Sequence, residues 1–353
     1  MEQPDNNKIL IAPLNWGLGH ATRCIPIIKA LIKNNFTPII ASDGEALALL
    51  KKEFPNLKNY ELPSYNITYP RFSNLFLIHF FIKMPHFYKT FKAENRVIKN
   101  ISKVENIKGI ISDNRFGCYH TKIKSVYITH QLRVLSGLLT FLTSKIHQKI
   151  IQNYDICWVP DDASHTFSGK LSKVSLSNIK TVYLGLLSRF KSLNTTIKYN
   201  FLILISGPEP ERYRFETLMR KTFKNTPQKV ILIQGKIEQQ QSTKRVDNIE
   251  IVNFMTGIQL QQTIAESNII IARSGYSTVM DLAVMGKKAF FIPTPGQREQ
   301  LYLAQNLKRQ KIAPFALQHQ FKKENLNKIE HYKGFESNPI SAETINKALD
   351  VFK

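Results

Sequence analysis

Apolar positions along this chain fall into two alternating patterns. Short, near-continuous apolar runs read as strands of a buried parallel sheet. Between them, longer stretches repeat apolar residues every three or four positions, as helices packed on such a sheet do. Strands are predicted at residues 8–14, 37–41, 109–112, 126–129, 156–159 and 181–184. A second series is predicted at 201–205, 229–233, 249–252, 268–272, 288–292 and 312–315. Strand–helix alternation of this kind implies an α/β fold with doubly wound sheets.

The alternation restarts near residue 200. Each half opens with an apolar strand that runs into a glycine turn, first Leu14-Asn-Trp-Gly-Leu-Gly19 and then Ile205-Ser-Gly-Pro208. Two doubly wound domains are therefore expected, at 1–188 and 189–338, with a linker around 187–199. Residues 339–353, after the break at Pro339, form a short helical pattern expected to pack back on the first domain. Domains of this type hold ligands at the carboxyl ends of their strands, facing a cleft.

The stretch PLNWGLGHATRCIPII, residues 13–28, marks the first such strand end. Gly17 and Gly19 let backbone approach a ligand, and the following helix start turns free N–H groups toward an anion. The apolar positions Ile25, Ile28, Leu31 and Ile32 suggest a helix with Pro26 in its first turn. His20 and Arg23 are the polar side chains at this junction. Asp113, Arg115, His130, Arg189, Ser206, Gly207, Phe254 and Met255 also fall at or just past predicted strand ends.

Composition narrows the picture modestly. With 353 residues, 43% hydrophobic and 21% charged, the chain suits soluble globular domains. It holds no apolar run of 18 residues, and MEQPDNNK lacks the apolar core of a signal peptide, so a cytoplasmic home is expected. Cys24, Cys118 and Cys157 have neither CxxC nor zinc spacing and are expected as reduced interior thiols. The net charge of +23 is compatible with a nucleic acid, an anionic membrane, or simply a lysine-rich composition. No helix-turn-helix, zinc-finger or RNP pattern is present, so no nucleic-acid partner is expected.

The densest chemical signal is NIIIARSGYSTVMDLAVMGKKAFFIPTPGQREQ, residues 268–300. A buried strand leads into Arg273, Ser274 and Gly275, then Ser277 and Thr278 open a helix. Asp281 follows one turn later, where a carboxylate can accept two hydrogen bonds from vicinal hydroxyls such as those of a ribose. The next strand ends in Pro293-Thr-Pro-Gly296, and Glu299 and Gln300 begin another helix with groups suited to a sugar ring. Taken singly, each of these reads equally well as an ordinary capped helix.

This stretch resembles the donor-binding domain of glycosyltransferase family 28, the MurG-like enzymes. The likeness is strongest over residues 249–306 and thin over 50–150. It implies a GT-B fold, two Rossmann-like domains facing a cleft, and inverting transfer of a hexosyl-type sugar from a UDP-sugar. The resemblance assigns donor binding to Arg189, Phe254, Met255, Arg273, Ser274, Gly275, Thr278, Asp281 and Gln300, and the residues themselves add Ser206, Gly207, Ser277 and Glu299 to the expected donor site. It places the histidine of the amino-terminal loop at His20, the expected base, with Asp113 and His130 as rivals. Gly17, Gly19, Arg23, Asp113, Arg115 and His130 are the expected acceptor contacts, with Arg23 either holding an anionic acceptor or solvated on the helix surface.

The chain departs from the family at Leu301, Ala304 and Pro208, which leaves the donor sugar and the acceptor open. Asp161-Asp162 does not make an Asp-x-Asp motif, so no metal and no cofactor beyond the donor are expected. Residues 69–99 mix phenylalanines with lysines and arginines, which suits either an anionic membrane surface or an ordinary buried helix. A UDP-sugar 2-epimerase of the same fold, or a basic nucleic-acid or surface-binding protein, are the competing functions.

Overall fold

The computed structural model describes residues 7–66, 76–174, 176, 178–236, 238, 240–337 and 342–353. It divides into two compact units, Met1–Leu187 with Ser341–Lys353, and Ser188–Ile340.

The first unit is built on a seven-stranded sheet. Its strands are β1 (Lys8–Pro13), β2 (Thr37–Ser42), β3 (Asn59–Glu61), β4 (Gly109–Asp113), β5 (Lys124–Ile128), β6 (Ile156–Val159) and β7 (Lys180–Tyr183). Their order is β3-β2-β1-β4-β5-β6-β7, and every pairing is parallel. Helices α1 (Gly19–Lys33), α2 (Gly44–Glu53), α3 (Phe76–Glu105) and α4 (Thr140–Ile151) connect these strands. The strand order reverses direction between β1 and β4, the switch point where loops diverge and leave a crevice. Leu14 N–H donates to Asp113 C=O at 2.9 Å there, so the two strand ends are locked together.

Helix α1 starts earlier than expected, at Gly19, which leaves Pro26 well inside it rather than in its first turn. An internal proline forgoes one backbone hydrogen bond. The burial of Cys24, Ile25, Ile27, Ile28 and Leu31 holds the helix in place regardless.

The carboxy-terminal residues belong to this unit. Helix α9 (Ala342–Leu349) lies against α1, where Asn34 Nδ2 donates to Asn346 Oδ1 at 2.9 Å. Phe352 is 2% exposed and meets Phe36 and Trp158 edge-on, with centroids 6.5 and 6.3 Å away. It also fills the space where a side chain at Gly109 would go.

The second unit is a six-stranded sheet in the order β10-β11-β9-β8-β12-β13. Its strands are β8 (Tyr199–Leu204), β9 (Val230–Ile233), β10 (Thr243–Val246), β11 (Ile249–Val252), β12 (Ser267–Ala272) and β13 (Lys288–Phe291). All pair in parallel except β10, which folds back antiparallel on β11. Helices α5 (Glu211–Phe223), α6 (Gly257–Ala265), α7 (Tyr276–Met285) and α8 (Arg298–Arg309) complete the unit. One core gathers Phe215, Met219 and Phe223 from α5 against Leu232, Ile251, Ile271 and Phe290 from the sheet.

Three elements differ from the sequence expectation. Residues 312–315 form no strand. Phe315 makes one parallel bridge to Phe291, because Pro314 has no N–H to extend the ladder. Strands β3 and β10 were not foreseen, being short and, for β10, polar and exposed.

The aromatic and basic segment 69–99 is only partly described. Phe72 lies outside the described residues, as do the side chains of Phe76, Phe80 and Phe81. Of the rest, Phe87 packs on Tyr65 and Phe116, and Phe91 on Tyr119, as interior residues do. Tyr88 is 60% exposed, with the Lys92 ammonium 4.4 Å from its ring centre. No helix among the described residues is long and apolar enough to cross a membrane.

Phe352→Ala should lower the unfolding free energy of the first unit by about 3 kcal/mol, since it empties a fully packed aromatic site. Denaturant unfolding followed by Trp158 fluorescence checks this, and an unchanged midpoint would mean that the carboxy-terminal segment is not part of that core.

Candidate active-site clusters in the two units

In the first unit, the β1–α1 loop and the end of β4 bring four of the sequence-predicted residues together. Asp113, fully buried at the last position of β4, receives both arms of the Arg23 guanidinium. Nε donates to Oδ2 at 2.5 Å and Nη2 donates to Oδ1. His20 Nδ1 stands 2.9 Å from Asp113 Oδ1. His130, just beyond β5, presents Nδ1 to Arg23 Nη1 at 3.2 Å. Helical spacing explains the first pairing, because residues 20 and 23 of α1 lie on one face.

The electrostatics sort the roles within this cluster. Full burial works against a charge on Asp113, but Arg23 and His20 outweigh it and hold the carboxyl well below its usual range. Asp113 is thus a fixed anion and too weak a base to take a proton from a hydroxyl. His20 Nδ1 also lies 2.9 Å from Arg23 Nη2, so it stands between an acceptor and a donor: a ring hydrogen on Nδ1 suits Asp113, and a lone pair there suits Arg23. His130 spends its Nδ1 lone pair on a guanidinium that can only donate. His20 is the most open of the cluster, with a side chain 11% exposed against 2% for Arg23.

Two expected acceptor contacts are placed differently. Arg23 is neither solvated nor free for an anionic acceptor, because Asp113 already occupies its fork. Arg115 stands apart from the cluster, fully buried. Its Nη1 donates to Asp43 Oδ1 at 2.5 Å, its Nη2 to Pro63 C=O at 2.6 Å, and its Nε to Glu94. Glu94 also accepts from Tyr65 Oη at 2.5 Å and from Gly117 N–H at 2.6 Å. This buried network reaches the glycine loop indirectly. Asn15 Nδ2 donates to Asp43 Oδ2 at 3.2 Å, and Asn15 Oδ1 accepts from Ala46 N–H. Asn15, Asp43 and Glu94 carry no motif that would have singled them out. Gly17 is exposed, at φ +71°, and a Cβ there would meet nothing within 4 Å.

In the second unit, the ends of β8, β12 and β13 lie side by side. Gly275 precedes α7 as its N-cap, with no side chain of its own to cap the helix, and a Cβ there would stand in open space. Ser277 and Thr278 occupy its first turn and are partly buried. An uncapped amino end offers N–H groups and the positive end of the helix dipole to an anion. Asp281, one turn on, accepts from Ser188 Oγ at 2.5 Å. Burial pushes its carboxyl up to about 6, against the pull of Ser188 and of Arg189. Ser188 was missed in the sequence, where only its neighbour Arg189 stood out. Arg189 stacks its guanidinium over the Phe190 ring at 4.9 Å.

Arg273 departs most from expectation. It is buried, and its guanidinium points into the domain. Nη1 donates to the carbonyls of Ile292 (3.0 Å) and Pro293 (3.2 Å), and Nη2 to Glu211 C=O (3.0 Å) and Gln318 Oε1 (2.6 Å). The Phe215 ring lies 4.1 Å below it. Arg273 therefore ties three segments together through both terminal nitrogens, and its buried Nε is left without a hydrogen-bond partner among the described residues. Ser274 is also structural, donating Oγ to Gln300 C=O at 2.8 Å. Gln300 in turn accepts Thr294 N–H at its Oε1, 2.8 Å away. Ser206 and Gly207 form the exposed turn after β8, and Glu299 lies partly buried in the first turn of α8. Phe254 and Met255 follow β11, partly buried, and Thr263 Oγ1 donates to the Met255 sulfur at 3.3 Å. Among the described residues no group of three or more His, Cys, Asp or Glu could hold a metal ion.

Residues 213–347 match the family model of the Glycosyltransferase family 28 C-terminal domain. No curated protein matches the sequence significantly. Solved structures do match. The glycotransferase of kitacinnamycin aligns over 99% of this chain and 95% of its own, at TM-score 0.64 and 12% identity. The spinosyn rhamnosyltransferase SpnG complexed with thymidine diphosphate aligns over 98% and 96%, at TM-score 0.61 and 10% identity. MurG from Acinetobacter baumannii aligns over 98% and 94%, at TM-score 0.56 and 10% identity. The chain has the GT-B fold of two Rossmann-like domains, and most of its second unit is similar to the glycosyltransferase family 28 C-terminal domain.

If Asp281 holds the ribose of a nucleotide, its raised carboxyl sets a pH dependence for that binding. Protonation as the pH falls through about 6 removes an acceptor that two hydroxyls need. Affinity for uridine, which does not itself titrate in this range, should be level above pH 7. It should then fall, approaching tenfold per pH unit well below pH 6. Calorimetry from pH 5 to 8 measures this, and Asp281→Asn should flatten the profile at the weak end.

Proposed function

We propose that this protein is an inverting glycosyltransferase that moves a hexosyl-type sugar from a UDP-sugar to an acceptor hydroxyl. The observation that carries this reading is the open amino end of α7, with Gly275 unobstructed at its start and Asp281 one turn further on. A diphosphate fits the helix end and a ribose fits the carboxylate. The match of this unit to the family 28 donor domain supports the same assignment.

The first unit supplies the base. His20 Nε2 takes the proton of the acceptor hydroxyl as its oxygen attacks the anomeric carbon, and the bond to the UDP oxygen breaks. Asp113 orients the ring and stabilises the imidazolium that forms, while Arg23 keeps Asp113 ionised. The growing charge on UDP is met by the α7 amino end and by Arg189, so the proposed reaction is metal-independent.

Incubating the full chain with a panel of UDP- and TDP-sugars and measuring nucleotide release tests this. UDP-sugars should turn over, EDTA should leave the rate unchanged, and His20→Ala should lower it at least a hundredfold. UDP should also bind about tenfold more tightly than TDP, because thymidine lacks the 2′-hydroxyl that Asp281 would accept. Equal affinity would remove the ribose assignment, and loss of turnover in EDTA the metal-independent one.

The proposed setting is the cytoplasmic face of a membrane bearing the acceptor. Exposed Met84 and Tyr88, close to Lys89 and Lys92, support this. Flotation with anionic vesicles should recover the protein at low salt and lose it at high salt. Failure to float at low salt would overturn the membrane setting while leaving the transfer reaction standing.

A further inference from the structure

Thr294, in the loop after β13, is 4% exposed, and its hydroxyl has no hydrogen-bond partner among the described residues. Its backbone is fully engaged. The N–H donates to Gln300 Oε1 at 2.8 Å, and the C=O accepts from Gln297 N–H at 3.1 Å. The rotamer is therefore carried by a pinned loop, yet the hydroxyl is left over. Buried hydroxyls are normally satisfied, so one without a partner calls for an explanation, and a ligand group is one.

Its surroundings indicate what that group is. Gly207, in the turn after β8, has φ +102°, and a Cβ there would meet only Thr294 Oγ1, at 3.6 Å. The buried hydroxyl thus lies close against the bare backbone of that turn. Strands β8 and β13 flank β12 on either side, and β12 feeds the uncapped amino end of α7 at Gly275. Thr294 and Gly207 thus sit on either side of the strand that feeds α7. A phosphate oxygen is an acceptor only, and it matches a hydroxyl that is free to donate.

We infer that the Thr294 hydroxyl donates to the diphosphate of the bound nucleotide, with Gly207 kept free of a side chain to admit it. This rests on the proposed nucleotide-sugar reading and adds one ligand-contacting residue to it.

Calorimetry of the full chain with uridine and with UDP tests the inference on wild type, Thr294→Val and Thr294→Ser. Valine keeps the shape and removes the donor. UDP affinity should fall about tenfold in the valine variant, uridine affinity should stay unchanged, and serine should restore UDP binding to within about threefold of wild type. The valine variant should melt no earlier than wild type. If it does melt earlier, Thr294→Ala against Thr294→Ser supplies the same contrast. UDP binding by the valine variant equal to wild type would overturn the inference, as would an equal loss for uridine and UDP, which marks a structural role. A wild-type protein that binds neither compound would instead overturn the nucleotide reading itself, and this inference with it.

Discussion

The first unit depends on a buried ion pair. Arg23 and Asp113 come from α1 and from the end of β4, elements far apart in sequence, and each would be intolerable inside the sheet without the other. Removing one partner of such a pair costs about 3–5 kcal/mol, because the survivor stays buried and uncompensated. The pair therefore fixes where α1 begins to pack, and with it the position of His20. It also keeps Asp113 ionised beside His20 Nδ1. Stability and chemistry meet in the same carboxylate.

Arg273 plays a comparable part in the second unit without a carboxylate partner in contact. Its guanidinium serves three backbone carbonyls and one side-chain amide, converging from the end of β13, the start of α5 and Gln318. Burial lowers its proton affinity only to about 10, so it remains a cation at neutral pH. A planar fork with five donors suits this bracing role, which a lysine ammonium could not reproduce. By holding the loop after β13 in place, it fixes Thr294 and Gln300 against the helix end at Gly275. The groups proposed to face the ligand are small, and the large charged group behind them is scaffold.

Much of the fold was legible because buried parallel strands leave a one-dimensional mark. Runs such as those of β1, β4, β9 and β12 are apolar on both faces. The exceptions have local causes. Pro314 ended a ladder that periodicity alone would have continued, and β10 is an exposed polar strand stabilised by its antiparallel partner. Pro26 was misjudged because burial of the α1 apolar face outweighs one missing hydrogen bond. The candidate site was legible as a set of residues past strand ends, since topology forces loops to gather there. Their directions were not, because an arginine after a strand looks the same in sequence whether it faces a ligand or the core.

The sequence by itself determined the alternation of strand and helix, the restart near residue 200, and the chemistry concentrated between residues 268 and 300. These are local properties, written in spacing and side-chain type. Only the tertiary structure decided that Arg23, Arg115 and Arg273 are internal braces and that His20 is the open member of its cluster. It alone also showed that Thr294 keeps an unspent hydroxyl. The reason is that hydrogen-bond satisfaction depends on partners distant in sequence, and no periodicity along the chain encodes which donor is already taken.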